Sequence, residues 1–304
     1  MTTDTFPDRR IPRSLADGIL AFPQSARSVT DSALVWNDIV YAAEAGYRPL
    51  MLDLRVPLHA NADQPVPVVV WIHGGAWHYG SRKRRAPNLH RHQIVEKIIA
   101  HGMAVVLIDY RLINEAKFPA QLADVRAAIR WVKANAHTYS LNSEKVVLFG
   151  ESAGAHLALL HGLTQSSVAS ETLPRVGEFP ELDSEVRAVV DWYSPATITD
   201  LAESGQSANN QNPEHRLVHN SDWSAQDLSP LHHVHANAPP IFISHGRDDE
   251  VISVDHSRAL AEALRNVGAT VEYFETEGGH VFEGSTEIVQ VFIETITFIQ
   301  GVVA

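Results

Sequence analysis

The chain has no cysteine in 304 residues. That excludes a disulfide framework, a thiolate metal site and a cysteine nucleophile, and it suits a cytoplasmic setting. Nor is there an apolar run near the 20 or so residues that a membrane-spanning helix needs. Basic residues are the minority: 24 Lys and Arg face 36 Asp and Glu, a formal charge of −12. A phosphate backbone would be repelled, so nucleic acid is not the expected partner. The opening stretch, MTTDTFPDRRIPRSLADGILAFP, mixes acids with bases and lacks an apolar centre, which argues against a secretory leader. Low-complexity tracts and internal repeats are missing too. What remains is the composition of a globular protein, 45% hydrophobic and 20% charged, long enough to bury a large core.

Strand and helix signals alternate along most of that length. Residues 1–32, with Pro7, Pro12 and Pro23, read as an arm with one short helix at Arg13–Leu20. β-rich runs at 34–42 and 48–58, joined at Ala45-Gly46, predict an antiparallel pair at a sheet edge. Apolar strands follow at 68–75, Met103–Tyr110, Lys145–Phe149, Arg187–Trp192, Ile241–His245 and Thr270–Phe274. Helices are expected at Asn88–His101, Phe118–Ala136, Ala155–Leu163, Ser257–Val267 and Thr286–Val302. The alternation predicts an α/β fold, a mostly parallel twisted sheet with helices on both faces. Residues 33–304 read as one domain, with 166–184 as a surface loop. The stretch 194–239, rich in Asn, Ser, His and Pro, fits no regular period and reads as an insert over the sheet top.

The most informative stretch is KVVLFGESAGAHLALLHGLT, residues 145–164. A buried strand, the turn Gly150-Glu151-Ser152-Ala153-Gly154 and an apolar helix form the strand–turn–helix context of a G-x-S-x-G nucleophile elbow. Its glycines let strand and helix cross closely, and the helix N-terminus points free N–H groups at the Ser152 hydroxyl. A serine needs a base beside it and a carboxylate to orient that base. Such groups collect just past the carboxyl ends of strands. His280 fits the base, following VEYFETEGG in a glycine loop. For the acid, Asp249 in the HGRDD turn is preferred, with Asp248 and Asp191 as rivals. The loop His73-Gly74-Gly75-Ala76-Trp77 ends a strand with small residues, and its amides with that of Ala153 suit an oxyanion hole.

HGGAW, DYRL with FPAQLADVRAAIRW, GESAGAHLA, SPLHHV before PPIFISHGRDDEV, and EGGH together resemble the α/β-hydrolase superfamily. Within it, the chain is similar to the esterase branch of hormone-sensitive-lipase-like carboxylesterases and kynurenine formamidases. The resemblance spans residues 36 to 300 and implies Ser152 as nucleophile, Asp249 as acid and His280 as base. It also implies an oxyanion hole at the amides of Gly75, Ala76 and Ala153. Ala76 stands where many lipase-like members carry a third glycine, and HGG-x-W is more typical of the formamidase-like and feruloyl-esterase-like members.

The expected reaction is hydrolysis of a small carboxylic ester through an acyl-enzyme, with no cofactor and no metal. An arylformamidase acting on N-formylkynurenine-like amides and a non-catalytic ligand-binding protein are the alternatives. Trp77, Tyr79, Glu151 and Trp192 are candidates to line the substrate pocket. The run Arg82-Lys83-Arg84-Arg85 reads as a solvated face, with attraction of an anionic substrate as its functional alternative. The histidines at 90, 92, 232, 233 and 235 lack the spacing and acidic neighbours of a metal site. Sequence leaves the oligomeric state open.

Overall fold

The structure is a computed structural model that describes residues 27–44, 47–166, 173–199 and 212–304. The helix expected at Arg13–Leu20 and the Ala45-Gly46 join lie outside the described residues.

Runs of Val, Ile and Leu set the centre of the sheet. Strands β4 (Val66–Ile72), β5 (Ala104–Ile108), β6 (Leu141–Glu151), β7 (Ala188–Trp192) and β8 (Ile241–Gly246) are apolar on both faces and buried along most of their length. Such strands need helices on both sides to cover them. With β1 (Arg27–Val29), β2 (Ala33–Ala42), β3 (Leu50–Pro57) and β9 (Val271–Thr276), they form a nine-stranded sheet ordered β1-β2-β3-β5-β4-β6-β7-β8-β9 among the described residues. Pairing is antiparallel from β1 through β3 to β5 and parallel from β5 onward. The β2/β3 pair is antiparallel as expected, but β1 adds a further strand outside it.

One face is covered by α3 (Ala120–Asn135), α4 (Ala153–Thr164) and α6 (Asp255–Asn266). The other carries α1 (Pro87–Arg91), α2 (Ile94–Ala100) and α7 (Ile288–Val303). A single helix over Asn88–His101 was expected, and the structure breaks it at Gln93, in the left-handed region at φ 52°. The apolar pattern requires the break. Leu89 and Ile94 are both fully buried, yet five residues of continuous helix would rotate one about 140° from the other.

The stretch expected to be irregular also holds a helix, α5 (Pro213–His219), with Pro213 in its first turn. The Asn212 side chain caps it, accepting from the amides of Glu214 at 2.8 Å and His215 at 3.2 Å. Ala196, Ile198, Leu217 and Leu228 from this stretch are buried in the main core. Among the described residues no helix is long and apolar enough to cross a membrane.

Candidate active site

The turn between β6 and α4 is tight for a steric reason. A Cβ on Gly150 would meet the Ala155 amide nitrogen at 2.3 Å, and one on Gly154 would meet the Ile72 carbonyl oxygen at 2.2 Å. Only glycine permits that crossing. Ser152, at the apex, is forced to φ 53° and ψ −122°, a region that non-glycine residues rarely occupy. Its amide donates to Trp192 O at 2.9 Å, and its carbonyl receives the His156 amide at 3.0 Å. The backbone is thus held on both sides while the hydroxyl stays available.

His280 lies beyond β9, in a short 3₁₀ turn. Its Nε2 is 3.2 Å from Ser152 Oγ, and its Nδ1 is 2.7 Å from Asp249 Oδ2. The Tyr193 ring packs edge-on against the imidazole, with centroids 5.0 Å apart. Asp249 is fixed by its own turn: Oδ1 accepts the amides of Val251 at 2.8 Å and Ile252 at 2.9 Å. His245, at the end of β8, also reaches Asp249 Oδ2, with Nε2 at 3.1 Å. Burial alone would raise the Asp249 pKa. Hydrogen bonds from His245, His280 and the Ile252 amide outweigh it and hold the carboxyl well below the usual range. The rival acids are placed elsewhere. Asp248 accepts the Gly278 amide at 3.2 Å and so braces the loop that carries His280. Asp191 is fully buried and accepts the Ser194 amide at 3.1 Å.

Across the turn from Ser152 stands the loop after β4. A Cβ on Gly74 would come within 3.3 Å of Ser152 Cβ, so this loop abuts the turn that carries Ser152. Gly75, Ala76 and Trp77 follow with φ of 117°, 54° and 56°. Three consecutive left-handed residues turn the backbone sharply. Ala153 opens α4, so its N–H is among the first-turn donors without an intrahelical acceptor. A nucleophilic oxygen, a base within hydrogen-bond reach, an ionised carboxylate behind the base and free amides nearby are what acyl transfer requires.

The BD-FAE family model matches residues 52–264, which include both the loop after β4 and the elbow. This chain belongs to the BD-FAE family. Esterase LipC of Mycobacterium tuberculosis (strain ATCC 25618 / H37Rv) is 32% identical over 236 residues, covering 72% of this chain and 54% of LipC. Esterase LipQ of the same strain is 29% identical over 268 residues, covering 86% of this chain and 61% of LipQ. The chain therefore spans little more than half the length of these curated relatives. Among solved structures, a truncated carbohydrate esterase from gut microbiota superposes with TM-score 0.73 at 26% identity, covering 92% of this chain and 99% of that one. The α/β-hydrolase resemblance drawn from the motifs, and the mostly parallel sheet it implies, both hold.

In this BD-FAE member the expected pocket residues scatter. Trp192 is fully buried on the opposite face of the sheet, stacked on Phe292 with its indole N–H on Thr295 Oγ1 at 3.1 Å, so it faces α7. Trp77 turns into the core, 3% exposed, with its indole N–H on His156 Nδ1 at 3.1 Å. Tyr79 points outward and is 65% exposed. Glu151 stays next to Ser152 in the turn, buried, with the Tyr193 hydroxyl donating to its Oε2 at 3.2 Å. Burial pushes its pKa up to about 7, against the lowering effect of the Tyr193 and Gly74 hydrogen bonds.

The basic run also divides. Arg84 is exposed, whereas Arg82 is buried and ion-paired with Asp38, Asp53 and Asp109, tying the loop after β4 to the sheet. It is a cross-link and not a solvated charge. His233 Nε2 donates to Asp227 O at 2.7 Å and His235 Nε2 to Leu163 O at 3.1 Å. Sequence reasoning passed over His245 and His156, two of 17 histidines. The available signals were spacing: His245 sits four residues before Asp249, and His156 one helical turn after Ser152.

Proposed function

We propose that this protein is a serine hydrolase that cleaves small carboxylic esters through an acyl-enzyme. The reading rests chiefly on the relay in which Ser152 Oγ lies 3.2 Å from His280 Nε2 and His280 Nδ1 lies 2.7 Å from Asp249 Oδ2. His280 takes the Ser152 proton as Oγ attacks the ester carbonyl. The tetrahedral oxyanion is received by the amides of Gly75, Ala76 and Ala153. His280 then returns the proton to the departing alkoxide, leaving an acyl-Ser152 ester. Water, deprotonated by His280, attacks that ester, and as the acyl–Oγ bond breaks His280 returns the proton to Ser152 and the acid is released. Asp249 stays ionised, fixes the imidazole with its proton on Nδ1 and stabilises the imidazolium. Relatives named esterases support an ester over an amide.

The domain reading goes with this one: residues 33–304 as a single catalytic unit, 1–32 as an arm whose Arg27–Val29 adds β1 to the sheet edge, and 194–239 as a cap-like insert. The test is a hydrolysis panel: p-nitrophenyl acetate, butyrate, octanoate and palmitate, an acetylated sugar and N-formylkynurenine, each with wild type and Ser152→Ala. Esters should be the better substrates, and the variant should be inactive. Faster turnover of N-formylkynurenine than of every ester, or full activity without the Ser152 hydroxyl, would overturn the reading.

A further inference from the structure

His156 has no part in the proton relay, yet it is fully buried with both ring nitrogens engaged. The Trp77 indole N–H is a pure donor and lies 3.1 Å from Nδ1. The Leu228 carbonyl is a pure acceptor and lies 2.7 Å from Nε2. Only a neutral imidazole with its proton on Nε2 satisfies both. Burial lowers the His156 pKa to about 4, so the ring keeps that form at neutral pH. Its own amide donates to the Ser152 carbonyl at 3.0 Å. One residue thus joins the loop after β4, the nucleophile turn and the stretch at Leu228.

The loop after β4 needs such a tie. Ala76 and Trp77 hold φ of 54° and 56°, and left-handed backbone at a residue with a Cβ costs roughly 1–2 kcal/mol each. Backbone bonds brace the far side: the His78 and Tyr79 amides donate to Gly75 O at 3.0 and 2.8 Å, and the Ile113 amide donates to Trp77 O at 2.9 Å. On the side facing Ser152, the Trp77 indole packs edge-on against the His156 ring at 5.0 Å, and its N–H is pinned there.

We infer that His156 is a positioning residue for the oxyanion hole, which through the Trp77 indole sets the loop amides against the nucleophile helix. The inference rests on the oxyanion-hole reading above.

Three variants separate the contributions. Trp77→Phe removes only the indole N–H and some ring area, His156→Leu removes both ring nitrogens, and His156→Asn keeps an acceptor near the Nδ1 position. Each is assayed well below its own Tm for kcat and KM on p-nitrophenyl acetate and for affinity toward an aryl trifluoromethyl ketone. That ketone adds Ser152 Oγ to its carbonyl carbon, passes the proton to His280 and leaves a hemiketal oxyanion in the hole. Trp77→Phe and His156→Leu should lower kcat by roughly 10- to 100-fold with little change in KM. Ketone affinity should fall by the same factor, and His156→Asn should recover most of both.

If Trp77→Phe and His156→Asn keep kcat and ketone affinity within twofold of wild type while only Tm falls, the role is structural and the inference fails. His156→Leu is then not needed, so its misfolding would not blur the outcome. Failure of the underlying reading looks different: wild type itself would bind no ketone, or Ser152→Ala would still turn over ester.

Discussion

Replacing Asp249 by Asn changes one atom, and the surrounding donors dictate where that atom goes. Oδ1 accepts two backbone amides, Val251 at 2.8 Å and Ile252 at 2.9 Å, so in the Asp249→Asn variant the carbonyl oxygen must take that side. The NH₂ group is then left at the Oδ2 position, facing His280 Nδ1 at 2.7 Å and His245 Nε2 at 3.1 Å. A donor there requires His280 to accept on Nδ1 and carry its proton on Nε2, the nitrogen that must receive the Ser152 proton. The base is thereby presented in the wrong tautomer. Rotating the amide would restore the tautomer but set NH₂ against two backbone N–H groups, each an unsatisfied buried donor costing about 1–3 kcal/mol. The expected loss is about four orders of magnitude in kcat, or about 5.4 kcal/mol of transition-state stabilisation. Burst and steady-state hydrolysis of p-nitrophenyl acetate measure it, with circular dichroism to show that the fold persists. A folded Asp249→Asn within tenfold of wild type would refute this reasoning, and the same loss in Asp191→Asn instead would move the acid to β7.

Glu151 has an ordinary pKa of 4.5 and a folded value of about 7, so the folded state holds a proton that the unfolded chain releases between those values. Stability should therefore fall as pH rises from about 4.5 to about 7. Glu151→Gln removes that slope, so urea titrations should show its stability relative to wild type higher at pH 8 than at pH 5. Arg82→Met removes the main partner of the buried Asp109 and one of the two cations on Asp53, where Lys83 Nζ remains at 2.8 Å, and should cost about 1–3 kcal/mol in urea unfolding, with no gain or loss if the run were only a solvated face. Ala196, Ile198, Leu217 and Leu228 are spent on the core, so the described part of 194–239 offers little apolar surface to an acyl tail at roughly 0.8 kcal/mol per CH₂. Across p-nitrophenyl acetate, butyrate, octanoate and palmitate, kcat/KM should peak at the short esters, and a continued rise to palmitate would show a long pocket.

The parts of this fold that were legible in the sequence are those where one local pattern leaves one solution. Runs such as Val68–Ile72 and Val146–Phe149 are too apolar to sit anywhere but the middle of a covered sheet. Gly150 and Gly154 flank Ser152 at a spacing that only a close strand–helix crossing explains, and a Cβ at either would clash at 2.2–2.3 Å. Side-chain direction at strand ends was less legible. Trp192 follows Asp191 at the top of β7, and period two sends them to opposite faces, but which face looks toward Ser152 depends on the neighbouring strands. The same limit hid Arg82. Its three acids come from β2, β3 and the end of β5, and nothing in the local run Arg82–Arg85 marks one arginine as buried. The cap of α5 was readable as Asn212-Pro213-Glu214, and was lost because the surrounding composition pointed to irregular structure.

Three buried carboxylates, the preferred acid Asp249, its rival Asp191 and the pocket candidate Glu151, differ in a way that no sequence displays. Asp249, Glu151 and Asp191 are all buried at the top of adjoining parts of the sheet, and burial raises the pKa of each. What separates them is the number of donors. Asp249 receives two backbone amides and faces two imidazoles, and it is driven well below the ordinary range. Glu151 has the Tyr193 hydroxyl, the Gly74 amide and the Trp71 indole, too little to offset its complete burial, and is pushed up to about 7. At Asp191 burial is offset in part by Ser194 and by the charge effect of His245, and still pushes the group up to about 6. Near neutral pH, therefore, the carboxylate best held in its charged form is the one that touches His280. A second strong negative charge beside Ser152 would oppose the oxyanion that acyl transfer must create, and Glu151 avoids that in proportion to its protonation. The donors that sort these groups come from Trp71, Gly74, Tyr193, Ser194, Val251, Ile252, His245 and His280, spread over more than 200 positions of the chain. HGRDD marks Asp249 by its place, and its depressed pKa comes from His245, Val251 and Ile252 in that same stretch together with His280 from beyond β9.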